Sequence, residues 1–583
     1  MRVIEIRLLD GPNVYRLEPA VKIEVALGRR RSWYGDRVPA RHALVRLGAT
    51  VPARDWPDAV AGVVAWVRRL GRQFGDGSGV TVHRSSDPGH WIVVFGWSGG
   101  ERAERIAEAA IALAERNVSP ARRSKLTGAQ DRLLERWTAR IADARTVPPA
   151  WIRDAERRVP IVSISGTNGK STVTRLITHI LLLAGRRVGT TTSDGVLVDE
   201  RMVDPGDWTG PAGAHQILSR SDVDVAVLET ARGGIVLRGL GYESNDVSVL
   251  TNVSSDHLDL QGIHTLPELA EVKGTICRIT KPDGWVVLNA DDRFVAGTAR
   301  RVRARVALFS LSGGSSAAIR RHVAAGGRAY LLRDGTLIEA EGDRRRAIVE
   351  VRDVPIAIAG LARHNIANAL AAAAAARGLG ASLEQVRAGL VDFRPSSERS
   401  PGRLNLFRVG SKVVIVDFAH NEAGVDAVLD VAAGIAGGAA GRTAPITTIV
   451  GTAGDRPDDT LRAIGRVAGK RAQRIAIKET LKYLRGRTRE SMIGEILAGV
   501  RSARFPTADI PVYETETEAL RAELSRNGTS HGRAEMSRVI VLMCHEEREE
   551  VFKLLERLGG RPVDVMAELS ELVPRLQDRP GKG

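Results

Sequence analysis

From Val159 onward the apolar positions follow two alternating patterns: short unbroken apolar runs, and longer stretches with an apolar residue at every third or fourth position. Unbroken runs suit strands buried on both faces, and the longer period suits helices packed along one stripe. Their alternation predicts a mostly parallel sheet covered by helices. Strands are expected at Val159 to Ser165, Asp224 to Glu229, Val247 to Asn252 and Trp285 to Asn289. Between Ala307 and Ala359 the segments shorten, with turn signals at Gly313-Gly314, Gly326-Gly327 and Asp334-Gly335, which predicts an antiparallel flap within the central region. After Pro401-Gly402 a second α/β alternation begins, with strands at Val413 to Asp417, Ile446 to Gly451, Arg474 to Ile477, Val512-Tyr513 and Val539 to Met543.

Ahead of this, residues 1 to about 117 combine short strands (Val3 to Leu8, Trp91 to Phe95) with two amphipathic helices, Asp58 to Phe74 and Glu101 to Asn117. A basic connector, Val118 to Lys125, leads to a helix from about Gly128 to Ala144 and a boundary at Val147-Pro148-Pro149. The pattern therefore divides the chain into a small α+β domain (1–120), a connector helix (121–155), a central α/β domain (156–400) and a Rossmann-like α/β domain (401–583). A length of 583 residues suits roughly three to four domains.

The net charge of +16 and pI near 10.3 direct attention to anionic partners. Arginines are scattered through every region and aromatics are only 4%, unlike the basic stripe with stacking rings of a nucleic-acid binder. A solvated basic surface with an anionic substrate is the reading this favours over nucleic acid. The amino terminus lacks the apolar core of a signal peptide, and the most continuous apolar stretch, Ala367 to Ala376, is nearly all alanine and too short to span a bilayer. No membrane association and a cytoplasmic location are expected. Cys277 and Cys544 lie far apart, giving neither a disulfide framework nor a metal knuckle, and read as core residues.

The run Ile161 to Thr172 carries the clearest chemistry: a buried strand, a glycine loop and the first turn of a helix. Gly166, Thr167, Asn168 and Gly169 form a loop whose backbone N–H groups can approach phosphates. Lys170 can reach the β/γ oxygens, Ser171 can ligate Mg²⁺, and Thr172 continues the first turn. Val173, Leu176, Ile177, Ile180 and Leu181 then recur at helical spacing. Ile164 stands where the usual pattern has its first glycine, so an ordinary strand-to-helix turn is the competing reading. ATP and Mg²⁺ are the cofactors this loop implies. Glu229 ends a strand, where it can hold Mg²⁺ beside Ser171 or cap a helix. His257, within Asn252 to Asp259, is a second metal ligand or a helix cap. Lys273, read alone, is a surface lysine.

In this order, the glycine loop, Glu229, Asp256-His257-Leu258-Asp259, Lys273, Asn289 to Asp292, His364 to Asn368, Pro401-Gly402-Arg403 and Asp417-Phe418-Ala419-His420-Asn421 resemble the motifs of the Mur ligase family over about residues 156 to 583. Those ATP-dependent enzymes join an amino acid to a carboxylate. The resemblance implies Glu229 and His257 on Mg²⁺, and Lys273 as a lysine carbamylated to help hold a second Mg²⁺. It further implies Asn289, Asn365 and Asn368 on the nucleotide side, Arg403 and Asp417 closing over it, and His420 and Asn421 toward the substrate.

Thr190 to Gly195, Gly206 to Pro211, Leu228 to Ile235, Gly451 to Arg456, Ala476 to Glu479 and Leu484 to Arg487 resemble the Mur-like half of cyanophycin synthetases, and Ile6 to Asn13 resembles their opening domain. Those enzymes carry an ATP-grasp domain between these parts. Here about forty residues separate Asn117 from Val159, too few for such a domain. The resemblance thus implies an amide ligase that works through an acyl phosphate, with an acidic amino acid or peptide as acceptor and arginine as the first amine to test. Separately from it, a homo-oligomeric assembly is expected. Thr191, Thr192, Asp194, Thr209 and Arg232 are the expected acceptor contacts, the guanidinium suiting a carboxylate. Arg485 and Arg487 stay open between phosphate, substrate and solvent. The rival readings are a cell-wall or folate-type ligase, a non-catalytic ATP-binding scaffold, and a nucleic-acid-binding ATPase.

Overall fold

The structure, a computed structural model, describes residues 1–27, 47–118, 127–255, 258–437, 444–526 and 537–569. Its centre is a sheet of eleven strands. In spatial order these are Arg344–Glu350, Thr336–Glu341, Arg328–Arg333, Arg305–Ser310, Thr280–Asn289, Asn245–Leu250, Ile161–Ser165, Val225–Glu229, Val188–Thr191, Gly195–Val198 and Arg201–Pro205. The strands from Arg328–Arg333 through Val188–Thr191 pair in parallel, and the outer ones pair antiparallel.

Successive residues of these runs point to opposite faces. Val162, Ile164, Val227 and Val249 enter one core with helices Lys170–Leu183 and Arg363–Gly378. Ile161, Ala226, Leu228 and Leu250 enter another with helices Pro211–Leu218 and Leu266–Lys273. Both faces are dry, which is why the strands read as unbroken apolar runs. The alanine stretch Ala369 to Ala376 is buried throughout, its small side chains letting the helix lie close to its neighbours.

The expected flap is a correction. Arg305–Ser310 and Arg328–Arg333 are parallel strands of the main sheet, joined by helix Ala317–Ala324, and the antiparallel part begins only at the Asp334-Gly335 turn, with Thr336–Glu341 and Arg344–Glu350. That helix buries just Ile319 and Val323, too few apolar positions to show a period.

The amino-terminal sheet runs Arg2–Leu9, Ala20–Ala26, His90–Gly96, Ser78–Arg84, all antiparallel, with helices Asp58–Phe74 and Gly100–Glu115 packed against it. Two of these strands escape the apolar pattern. Ala20–Ala26 buries Lys22 and Glu24, which neutralise each other at 2.7 Å. Ser78–Arg84 is largely polar. Helix Gly128–Ala142 follows, opened by a Thr127/Gln130 capping box, while residues 119–126 of the expected connector lie outside the described residues.

The carboxyl-terminal sheet has the parallel strands Val512–Tyr513, Arg474–Lys478, Ile446–Val450, Arg538–Met543 and Lys412–Asp417, with Asn405–Val409 and Arg561–Pro562 antiparallel at one edge. Both cysteines are buried. Among the described residues no helix is long and apolar enough to cross a membrane.

Candidate active site

The glycine loop leaves the carboxyl end of Ile161–Ser165 at the centre of the large sheet, the edge where open α/β sheets bind ligands. Gly166 (φ 148°) and Gly169 (φ 87°) hold left-handed backbone, and no side chain fits at either. A Cβ would lie 1.8 Å from Thr251 Oγ1 at Gly166 and 2.4 Å from Asn368 Oδ1 at Gly169. Asn168 N–H donates to Asn252 Oδ1 (2.9 Å), and the Asn168 carbonyl accepts from Thr251 Oγ1 (2.7 Å) and Asn252 Nδ2 (2.9 Å). Helix Lys170–Leu183 starts from Gly169 without a side-chain cap, so its amino-terminal dipole faces the loop. Lys170 Nζ donates to the Thr167 carbonyl at 3.0 Å.

Glu229 is 3% exposed at the end of its strand and accepts the Ser171 hydroxyl. Its Oε2 has no hydrogen-bond partner among the described residues. Burial pushes this carboxyl above its usual range against the pull of Lys170 and Arg403. It caps no helix, since helix Arg232–Leu237 starts after Ala231. An orphaned anionic oxygen beside a hydroxyl suits a divalent cation, which would repay the desolvation of the carboxylate. Lys273 is not at the surface: it is 6% exposed and its Nζ donates to the Gly166 carbonyl at 2.7 Å. His257 lies outside the described residues.

Residues of the carboxyl-terminal part close on this loop. Arg403 reaches Ser171 Oγ at 3.4 Å, with its guanidinium 4.8 Å from the Phe418 ring centre. Asn168 and Asn421 exchange two side-chain amide bonds, at 3.0 and 3.1 Å. Asp417 accepts the N–H groups of Leu404 and Ala419, both at 2.8 Å, and burial pushes its pKa up. His420 Nδ1 donates to the Phe418 carbonyl at 3.0 Å. Asn289 holds the Thr251 carbonyl (2.8 Å), Asn365 the Ile356 carbonyl (3.0 Å), and Asn368 donates to Asn365 Oδ1 (3.0 Å). Gly166 to Thr172, Glu229, Lys273, Arg403 and Asn421 thus form one cluster.

The expected acceptor contacts carry structural bonds. Thr191 is buried at a strand end, the Thr192 hydroxyl closes a turn onto the Gly195 carbonyl, Thr209 Oγ1 donates to Asp207 (2.6 Å), and Arg232 donates to the Leu260 carbonyl (3.1 Å). Asp194 pairs at 2.8 Å with Arg175 and, across the parts, at 2.8 Å with Arg548. Burial opposes ionisation of Asp194, yet Arg403, Arg548 and Arg175 outweigh it and hold the carboxyl at about 2. Sequence reading missed both partners. Arg175 had a signal, a charged side chain within the apolar stretch of its helix, whereas nothing marked Arg548. Arg485 and Arg487 pair with Asp455 and Asp458.

A strand, glycine loop and helix, with a half-satisfied carboxylate at the next strand end, make up a P-loop arrangement. Residues 164–376 match the Mur ligase middle domain. The chain is 41% identical over 367 residues to the cyanophycin synthetase of Trichormus variabilis, covering 63% of this chain and 40% of that protein. It therefore spans about two fifths of the curated relative's length. It is also 27% identical over 457 residues to the UDP-N-acetylmuramoyl-L-alanyl-D-glutamate--2,6-diaminopimelate ligase of Geobacter metallireducens, covering 73% of this chain and 83% of that one. Among solved structures, a bifunctional folylpolyglutamate synthase/dihydrofolate synthase aligns at TM-score 0.49 and 19% identity, over 68% of this chain and 89% of that one.

Proposed function

We propose that the chain is an ATP-dependent amide ligase that activates a carboxylate of an acidic amino acid or peptide and joins it to an amino acid, arginine being the first candidate. The observation that carries this reading is the convergence on a glycine loop, within a match to the Mur ligase middle domain, of Lys170, Ser171 and a Glu229 Oε2 that has no partner among the described residues. The acceptor carboxylate attacks the γ-phosphate of ATP, ADP leaves, and the amine then displaces phosphate from the acyl phosphate. Lys170 and the helix amino terminus counter the charge of the transferring group, and Arg403 adds a second cation from the other part. Ser171 and Glu229, with His257 and a carbamylated Lys273 by family resemblance, would hold Mg²⁺, which supplies further charge neutralisation. The Asn168–Asn421 and Asp194–Arg548 contacts hold the two parts together and keep water from the activated carboxylate.

About forty residues between Asn117 and Val159 leave no room for a second ATP-using domain, so the acceptor is a preformed carboxylate and free aspartate is not polymerised. The test is a screen of ATP-dependent phosphate release over amino acids and short acidic peptides, with mass spectrometry of the products. One amide-linked residue per ATP is the expected product. A long aspartate-backbone polymer from free amino acids overturns the acceptor assignment, and no ADP with any acceptor overturns the ligase reading.

A further inference from the structure

Behind the loop Asp417 to Asn421, at the carboxyl edge of the smaller parallel sheet, lies a buried ionic group that the proposed reaction does not use. Lys478, 1% exposed, ends strand Arg474–Lys478 and donates to Glu516 Oε1 (2.5 Å) and to His545 Nδ1 (2.9 Å). Glu516 also accepts the N–H groups of His545 (2.6 Å), Glu546 (3.1 Å) and Glu547 (2.9 Å), and the Cys544 thiol (3.0 Å). An ammonium has only donors, so His545 Nδ1 accepts and the ring proton sits on Nε2. From there it is donated to the Ala419 carbonyl at 3.1 Å. Burial, aided by the Lys478 charge, keeps the imidazole neutral, its pKa well below the ordinary value.

The neighbouring carbonyls are held in the same manner. The His420 carbonyl accepts Thr452 Oγ1 (3.3 Å), and the Thr452 carbonyl accepts Thr480 Oγ1 (2.5 Å). Phe418 meets the His545 ring edge to face, 5.1 Å between centres, and carries the guanidiniums of Arg403 and Arg548. Through Asn421 the same loop reaches Asn168 of the glycine loop. Both His545 nitrogens are engaged, so the ring is built to hold a backbone group and not to move a proton.

We propose that Lys478 and His545 are positioning residues: Lys478 fixes the His545 tautomer, and His545 sets the Phe418–Asn421 loop where Asn421 meets Asn168 and Arg403 meets Ser171. The assignment rests on the nucleotide-ligase reading and deepens it. An ion pair that served stability alone has no reason to sit where strand ends face a nucleotide loop, since a buried pair is a weak stabiliser against an apolar core.

The test uses the full chain with Mg²⁺ and a non-hydrolysable ATP analogue, binding measured by calorimetry alongside ADP formation. His545→Leu keeps Lys478 on Glu516 but removes both imidazole bonds; we expect the analogue to bind about tenfold more weakly. His545→Gln can accept from Lys478 and donate to Ala419, and should regain most of that loss with an unchanged pH profile. Thr452→Val, nearly isosteric, should weaken binding in the same direction, and it stands as the second probe should His545→Leu fail to fold. Wild-type affinity in His545→Leu and Thr452→Val overturns the assignment. So does a His545→Gln variant as impaired as His545→Leu with an altered pH profile, because the ring would then be handling a proton. Wild-type protein that binds the analogue but forms no ADP with any acceptor counts against the ligase reading alone, and the binding series still decides the positioning role.

Discussion

In the proposed reaction Lys170 offers a cation to the phosphoryl group, and it packs little, resting on the Thr167 carbonyl at the start of its helix. Lys170→Ala is expected to lower ADP formation by about 10² to 10³-fold. Its melting temperature should stay within ~3 °C of wild type, the range of a surface substitution. An unchanged turnover number removes the lysine from the nucleotide site. Lys273 holds the Gly166 carbonyl from a buried position, so alanine there costs both a loop anchor and any carbamate. Lys273→Ala should be nearly inactive and partly restored by added short carboxylates. Full activity of that variant, together with full wild-type activity in carbon-dioxide-depleted buffer, places Lys273 outside the site.

At the scale of elements, helix Arg363–Gly378 lies close to helix Lys170–Leu183 and the central sheet because its buried face is almost all alanine. Ala372 is fully buried there. Ala372→Leu forces extra methylenes into this contact and is expected to destabilise by about 1–3 kcal/mol. Thermal or urea unfolding checks this; a variant as stable as wild type shows that the helix can shift. The displacement also reaches Asn365 and Asn368 on the same helix, so nucleotide affinity should fall with stability.

At the scale of the molecule, the amino-terminal sheet is tied to the central part through His264, whose ring bridges Asp87 (3.1 Å) and Asp259 (2.8 Å). The Asp87 bond, with Asp259 adding to it, raises the imidazole from 6.5 to about 9. The pKa is raised on folding, so this contribution is complete below about pH 6.5 and lost as pH rises through about 9. The melting temperature should fall across that window, and Asp87→Asn should flatten the fall. An identical pH profile in the variant refutes the clamp. The Asp194 carboxyl behaves oppositely: held at about 2, it keeps its ion pairs at every pH above the ordinary carboxylate range.

Unbroken apolar runs marked the four central parallel strands of the large sheet, since burial on two faces leaves no polar position to disguise them, whereas the parallel strands Val188–Thr191, Arg305–Ser310 and Arg328–Arg333 escaped the pattern. The glycine loop was equally legible, because backbone approach to an anion demands glycine, lysine and serine at fixed local spacing. What the sequence could not decide lies between distant segments. Strand Ala20–Ala26 hides because Lys22 and Glu24 are buried only as a pair, and the paired partner is invisible in a local pattern. Lys273 reads as solvent-facing until the fold lays the Gly166 carbonyl 2.7 Å from its ammonium. Arg175, Arg548 and Asp194 meet from three separate stretches, as do Lys478, Glu516 and His545. Local spacing determines which groups can face a phosphate, but charge pairing and closure depend on through-space distances that only the packed chain sets.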